Sequence, residues 1–578
     1  GGADNATTAK TPATNATAPA TTAVNDKTTA AGTTTTTTAV STTAAKPGDA
    51  AKAAPGTTPS APATESEVQQ LRELLEAQQA EIAALREQLT AHGVNAMSTA
   101  AVSTPVSMAA GAPSGSGATP SGTFTPVLVR TETDNGQPAP LSIKIGSAEF
   151  TPGGFVDMMD IWRGTNVGSG IGTSFTSIPY NNVSTGQGGL SENRVSAANS
   201  RLDLKVTTPA AGGNLLGYVE TDFNGNQPTN LDANRNSATL RLRLYFADYT
   251  RGKLEILGGQ DWSMLTPNRK GINPLPQDIF STLLLDANNS IGLVSARQAQ
   301  FRAVYHPTDH WAMGFSVEDP DPWVGTSVTF PACFAGTGTG CTNSQTNQVD
   351  TGAATTSPAS WPDFIAKIAR DQNVGGKNWH FEVAGLLTTN KLYTPTSVSG
   401  VAATTQSRTG GGVSANFDLQ LTQGFHLIAN SFWSDGGGRY LYITGPNLVV
   451  AQNPTTLGFI PSLEHTGSGL AGFEWQVRPK FQWFSYYGGN YFSRNYSIDP
   501  NTGKDVGYGY PGSANSQNRE FQEISTGFVQ SLWRNPNYGA LQIINQVSYA
   551  TRSPWVAGTG PANAHTAIVY LDLRYVLP

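Results

Sequence analysis

At 578 residues the chain can hold one large domain plus appendages, yet 13% of it is charged, 38% hydrophobic, and glycine is plentiful at 62. Soluble enzymes carry about a quarter charged residues, so low charge without high hydropathy points away from them. The net charge of −6 gives no basic surface for nucleic acid, and no apolar run is long enough for a helical membrane span.

The chain opens Gly1-Gly2-Ala3-Asp4 without an initiator Met, as expected of an exported protein whose leader has been removed. Residues 1–64 are almost entirely Thr, Ala, Pro, Asn and Gly, including Thr33 through Thr38. Such a segment buries too little to offset its ordering entropy. It is expected to be a disordered tail on the periplasmic side, either a plain spacer or a segment that contacts peptidoglycan.

Composition changes abruptly over 65–93. Ser66-Glu67-Val68-Gln69 offers a capping box and Gly93 a stop. Between them Val68, Leu75, Ile82 and Leu89 fall on the a positions of a heptad, and Leu71, Gln78, Leu85 and His92 on the d positions. Glu67 and Glu81 at g would face Arg72 and Arg86 at e in a parallel neighbour. Flanked by polar spacers, this helix is expected to self-associate as a coiled-coil stalk, with three strands preferred and Gln78 setting register. An amphipathic helix folded against another domain is the plainer alternative. Residues 94–140 return to Ala, Ser, Pro, Gly and Thr and read as a flexible linker.

Residues 141–150 look extended, and beyond them alternation dominates. Leu202, Leu204 and Val206 interleave with Arg201, Asp203 and Lys205. Leu240, Leu242, Leu244 and Phe246 interleave with Arg241, Arg243 and Tyr245. The same period places Trp311, Met313, Phe315 and Val317 on one face, and Val569, Leu571, Leu573 and Tyr575 on another. Period two over about ten residues matches a tilted membrane strand. Sixteen such segments run from 153–163 to 565–577, joined alternately by long loops and short turns. Short turns include Arg251-Gly252 and Thr422-Gln423-Gly424; long loops include 164–198, 263–296 and 319–361. One-sided loop lengths with both strand ends on the short-turn side predict an all-β fold. Residues 141–578 are expected to form an up-and-down antiparallel barrel in a bacterial outer membrane, with the stalk in the periplasm. A soluble β-sandwich fits poorly, because its strands average five or six residues.

With Leu, Phe and Trp facing lipid, the lumen is expected to receive Arg201, Asp203, Lys205, Glu220, Asp222, Arg241, Arg243, Tyr245 and Arg302. The third long loop, 263–296, carries Arg269, Lys270, Asp278 and Asp286 and, by analogy with general porins, is a candidate constriction. Two readings of the charges stand side by side. An arginine ladder would concentrate anions; cross-strand pairing with Glu220 and Asp222 would neutralise the wall. Cys333 and Cys341 sit in one Gly/Thr-rich run and are expected to form a disulfide that pins a surface loop, with redox or metal roles as the alternatives. No nucleophile elbow, phosphate loop or zinc site appears, so neither an enzyme nor a cofactor is expected. His306 and His310 flank a Pro on a short turn, which speaks against a helical metal pair.

The run Asn199-Ser-Arg-Leu-Asp-Leu-Lys-Val-Thr-Thr-Pro209, then Gly217-Tyr-Val-Glu-Thr-Asp-Phe-Asn-Gly225, resembles the DcaP-like porins. Leu240-Arg-Leu-Arg-Leu-Tyr-Phe-Ala-Asp-Tyr249 followed by Gly258-Gly-Gln-Asp-Trp-Ser263 extends the resemblance, as does a stalk ahead of the barrel. The resemblance implies a trimeric channel for small anions, dicarboxylates in particular, with Arg201, Arg241 and Arg243 as pore arginines. The competing expectation is a structural protein that tethers the outer membrane to the cell wall through its stalk and tail.

Overall fold

A computed structural model describes residues 141–180, 186–225, 239–275, 290–352, 357–359, 361–400, 402–441, 444–555 and 564–578. The tail, the stalk positions Val68, Leu71, Leu75, Gln78, Ile82, Leu85 and Leu89, and the linker lie outside the described residues. Within them, an 18-stranded antiparallel sheet closes on itself. Two of its strands, Ile143–Ile145 and Glu192–Ser196, are short additions to the first wall strand, which leaves sixteen in the wall.

In chain order the wall begins with β1 (Ala148–Arg163), β2 (Arg201–Ala210), β3 (Gly213–Asp222), β4 (Arg241–Arg251) and β5 (Leu254–Trp262). It continues with β6 (Arg297–Thr308), β7 (Trp311–Glu318), β8 (Asp363–Val374), β9 (Lys377–Thr394), β10 (Thr404–Thr422) and β11 (Phe425–Asp435). The last strands are β12 (His465–Arg478), β13 (Phe481–Phe492), β14 (Asn518–Asn535), β15 (Gly539–Pro554) and β16 (Ala564–Val576).

Side chains alternate across a strand, so every second residue meets the outside. The outer face is apolar: Leu204, Val219, Ile256, Val413 and Leu571 are all exposed. Toward the short-turn end it carries Tyr305, Trp311, Trp475 and Trp483; toward the long-loop end it carries Trp162, Tyr393, Trp433 and Tyr491. An aliphatic belt between two aromatic girdles is the exterior of a barrel that faces lipid. The short turns follow from their residues. Gly375 and Gly376 both take positive φ, as a two-residue hairpin turn that matches strand twist requires. Ala211 and Gly212 do the same, with Ala211 in a conformation unusual for a residue with a side chain.

The barrel closes where β1 pairs with β16 from Phe155↔Val576 to Arg163↔Ile568. Arg574, fully buried, bridges this seam to Asp157 at 3.0 Å and to Asp572 at 3.1 Å, and lies over the Phe155 ring at 4.0 Å. A barrel has no free edge once this pairing forms.

One strand departs from simple alternation. Glu220 of β3 faces Leu244 and the next residue, Thr221, faces Leu242, so Arg243 is an extra residue in β4. Such a bulge reverses the parity of everything beyond it. Leu244 and Phe246 are therefore buried inside at 0% and 6% exposure, and Tyr245 points outward at 41%. Tyr245 thus does not line the pore, and Leu244 and Phe246 do not face lipid; both expectations are corrected by this bulge.

Several of the long connections are built structures. Loops between β11 and β12 and between β13 and β14 carry the hairpins Leu448–Gln452 with Phe459–Leu463 and Asn495–Ile498 with Asp505–Tyr508. The β7–β8 loop holds the Cys333–Cys341 disulfide. Beside it Phe334 is fully buried and meets Phe459 edge-on at 5.1 Å between ring centres.

Candidate functional site

The inner face of the wall is polar, and the connection after β5 runs across it. The Met264 amide donates to Glu318 at 2.9 Å, the Asn268 amide to Glu382 at 3.0 Å and the Gly271 amide to Asp371 at 2.9 Å. These acceptors sit on β7, β9 and β8, so the segment 263–275 crosses successive strands from within. Lys367 Nζ donates back to the Thr266 carbonyl at 2.9 Å and pairs with Glu382. Arg269 reaches further, to Asp418 at 3.3 Å and to Glu474, which also accepts from the Tyr486 hydroxyl. The returning limb is held by Glu523, which accepts from the Ile291 amide, and by Asn430, which accepts from that of Val294. It lies so close to the wall that a Cβ on Gly488 would overlap the Ile291 carbonyl. Gly292, at φ +92, packs on the Gly469 backbone in the same way. Lys270 is exposed; Asp278 and Asp286 lie outside the described residues.

The charged residues expected in the lumen assemble into alternating networks. Arg243 binds Glu220 and lies 3.2 Å from Asp222, Arg241 binds Asp222, and Arg201 stands 4.0 Å from Glu220. Arg201 also lies over the Phe155 ring at 5.3 Å. Asp203 and Lys205 share the inner parity of β2 and are half-buried. Arg302 pairs with Asp261 at 3.2 Å and approaches Glu255 at 3.9 Å. Low-dielectric surroundings make such pairs mutually dependent: removing one member strands the charge of the other.

Above these networks, a cavity of about 670 Å³ opens between the inner wall and the long loops. Residues 170–177 of the β1–β2 loop and 323–327 of the β7–β8 loop form two of its sides. Among the described residues lining it, the charged ones are Arg241 and Arg297. Arg297 is held over the Trp262 ring at 5.5 Å. The remainder is Gly, Ser, Thr, Asn and a few apolar side chains, so the cavity presents guanidinium groups and neutral donors. Nearby in the β7–β8 loop, burial pushes the Asp321 carboxyl up to about 6; Arg439 opposes this and Asp350 adds to it.

Sequence reasoning did not single out Arg163, Arg297, Arg552 or Arg574. The signal for Arg163 and Arg574 was present: each falls on the parity opposite to the exposed apolar residues of its strand. The inward course of the β1–β2 loop has no such marker, because loops lack a period.

A closed wall of sixteen antiparallel strands, lipid-facing outside and crossed within by the loop after β5, has the architecture of the porin class of barrels. Among solved structures, the chain is similar to the outer membrane channel DcaP of Acinetobacter baumannii. The two share 17% identity over 75% of this chain and 99% of that one, with a TM-score of 0.51, a likeness of fold. The anion-selective porin from Comamonas acidovorans matches more distantly, at 10% identity over 74% of this chain and 100% of that one, TM-score 0.40. OprB of Pseudomonas putida does likewise, at 13% identity over 74% and 94%, TM-score 0.38. No protein-family model and no curated protein sequence matches the chain.

Proposed function

We propose that the chain is an outer-membrane porin, a passive diffusion channel that prefers small anions, dicarboxylates among them. The observation that carries this reading is the cavity whose charged lining residues, among those described, are Arg241 and Arg297. Lumen arginines, Arg241 included through its contact with Asp222, sit beside carboxylates; at this cavity, however, the described lining offers guanidinium groups and neutral donors and no carboxylate. Fixed positive charge in a confined, low-dielectric passage raises the local concentration of anions. On the same reading the helix at 65–93 gathers three copies on the periplasmic side, and outer-membrane lipid surrounds each barrel. The heptad of Val68, Leu75, Ile82 and Leu89 supports that assembly.

The test is the reversal potential of the full chain in planar bilayers under a potassium chloride gradient. Anion preference is expected, falling in Arg241→Ser and further in Arg241→Ser/Arg297→Ser. A cation-selective wild type overturns the anion preference. A folded protein that never conducts overturns the channel.

A further inference from the structure

The first part of the connection between β1 and β2, residues 170–180, does not lie over the barrel rim as a surface loop; two buried arginines hold it inside. Arg163, at the end of β1, is fully buried and commits its whole guanidinium to this segment. Its Nε donates to the Thr173 hydroxyl at 3.0 Å, one terminal nitrogen donates to the carbonyls of Gly170 (3.0 Å) and Ile171 (3.1 Å), and the other to Glu192 at 2.7 Å. From β15, Arg552 donates to the carbonyls of Ile178 at 2.7 Å and Thr176 at 2.6 Å, and stacks on Tyr180 at 4.5 Å. The Tyr180 hydroxyl donates to the Asn515 carbonyl at 2.6 Å, and the Thr173 and Tyr570 hydroxyls meet at 3.1 Å. Phe175 and Ile178 are buried at 2% and 0% exposure.

Arginine suits this task because its planar fork of donors fixes several carbonyls at once without itself titrating. Backbone carbonyls, not side chains, are the main acceptors, so the loop's path is set while its side chains are left to face the cavity. Gly170 has open space around it and Thr176 and Ser177 are exposed, while Ile171 and Phe175 of the same segment are buried. They border the same cavity as Arg241 and Arg297.

We propose that residues 170–177 are a second constriction of the pore and a specificity-determining surface, with Arg163 and Arg552 as its positioning residues. The inference rests on the channel reading above. A small organic anion is drawn by Arg241 and Arg297, and its size is limited by a glycine- and hydroxyl-lined rail that the two buried arginines fix. Two narrowings in series then divide the work: the loop after β5 obstructs the lumen, and the loop after β1 shapes the vestibule.

The experiment uses single-channel recording in potassium chloride on the full chain, with the compact unheated gel band as the check of folding. Thr176→Glu leaves the carbonyl that Arg552 holds intact and adds a carboxylate to the cavity; its reversal potential is expected to shift toward cations. Gly170→Trp enters open space and should lower unitary conductance by roughly twofold, as narrowing a charged passage does. Arg552→Ala, if folded, should raise conductance by releasing the rail. A conducting, anion-preferring wild type whose Thr176→Glu and Gly170→Trp variants are indistinguishable from it overturns the second constriction and leaves the channel reading intact. A wild type that does not conduct removes the channel reading first, and this inference with it.

Discussion

The two faces of one wall obey different rules. Outside, Leu204, Val219, Ile256 and Leu571 meet a fluid that asks only for hydrocarbon, so one apolar residue serves as well as another. Inside, Arg243, Glu220 and Asp222 form a cluster in which each member is defined by the next, and Arg269 is fixed to Asp418 and Glu474 across the lumen. The outer face is a composition; the inner face is an arrangement. The difference teaches that period two reveals which residues share a face, but only geometry reveals what the inner ones do together.

Four measurements break or sharpen this contrast. The largest effect is expected from Arg574→Ala, which leaves Asp157 and Asp572 in the closing seam without their cation. Breaking a buried pair of this kind costs about 3–5 kcal/mol, read as a lower urea midpoint in detergent or lipid. A variant as stable as the wild type would erase the distinction between the faces. Next, Leu204→Arg on the outside should cost about 2–4 kcal/mol in a bilayer if it lies near mid-belt, whereas Leu204→Phe should be close to neutral. Equal losses from both would mean that this surface is packed against protein.

A smaller effect concerns the loops. The folded-state pKa of Asp321 is raised from 3.8 to about 6, so the folded protein holds this proton more tightly than the unfolded chain does. Its penalty is absent below 3.8, grows as pH rises, and is complete above about 6. Thermal stability should decline across that window in the wild type, and Asp321→Asn should flatten the slope. The last test carries no energy scale. With cysteine at 245 or 246, a charged, water-borne thiol reagent should label Phe246→Cys through the lumen and spare Tyr245→Cys, which faces lipid. The reverse pattern would remove the bulge.

Much of the fold was legible because sixteen strands repeat one physical requirement. The first and last segments, expected at 153–163 and 565–577, coincide with the strands Ala148–Arg163 and Ala564–Val576 to within a residue at their long-loop ends. That Arg201, Asp203, Glu220, Asp222 and Arg302 share the face opposite the exposed apolar residues was legible from the same parity. The placement of Tyr245 was not, because a bulge is one residue of excess backbone and leaves no trace in hydropathy when its neighbours alternate anyway. The hairpins at 448–463 and 495–508 were hidden for another reason: their strands are only four or five residues long, too short for a period to stand out. The contest between arginine ladder and wall pairing also needed coordinates. Adjacent strands bring Arg243 to Glu220, while loop packing alone brings Arg297 to a cavity bordered by loop residues.

The seam between β1 and β16 has a kinetic consequence. Asp157 and Arg574 lie 417 residues apart in the chain, and nothing nearer in sequence can replace their union. Because long-range pairing must absorb its loop-closure entropy before any contact rewards it, the hairpin ladder from β2 to β15 can zip neighbour by neighbour while the first and last strands still wait for each other. Until they meet, both edges offer unpaired backbone groups to any passing strand. The newly made chain is therefore most vulnerable to aggregation at its final step, and whatever escorts it to the membrane has to shield these two ribbons.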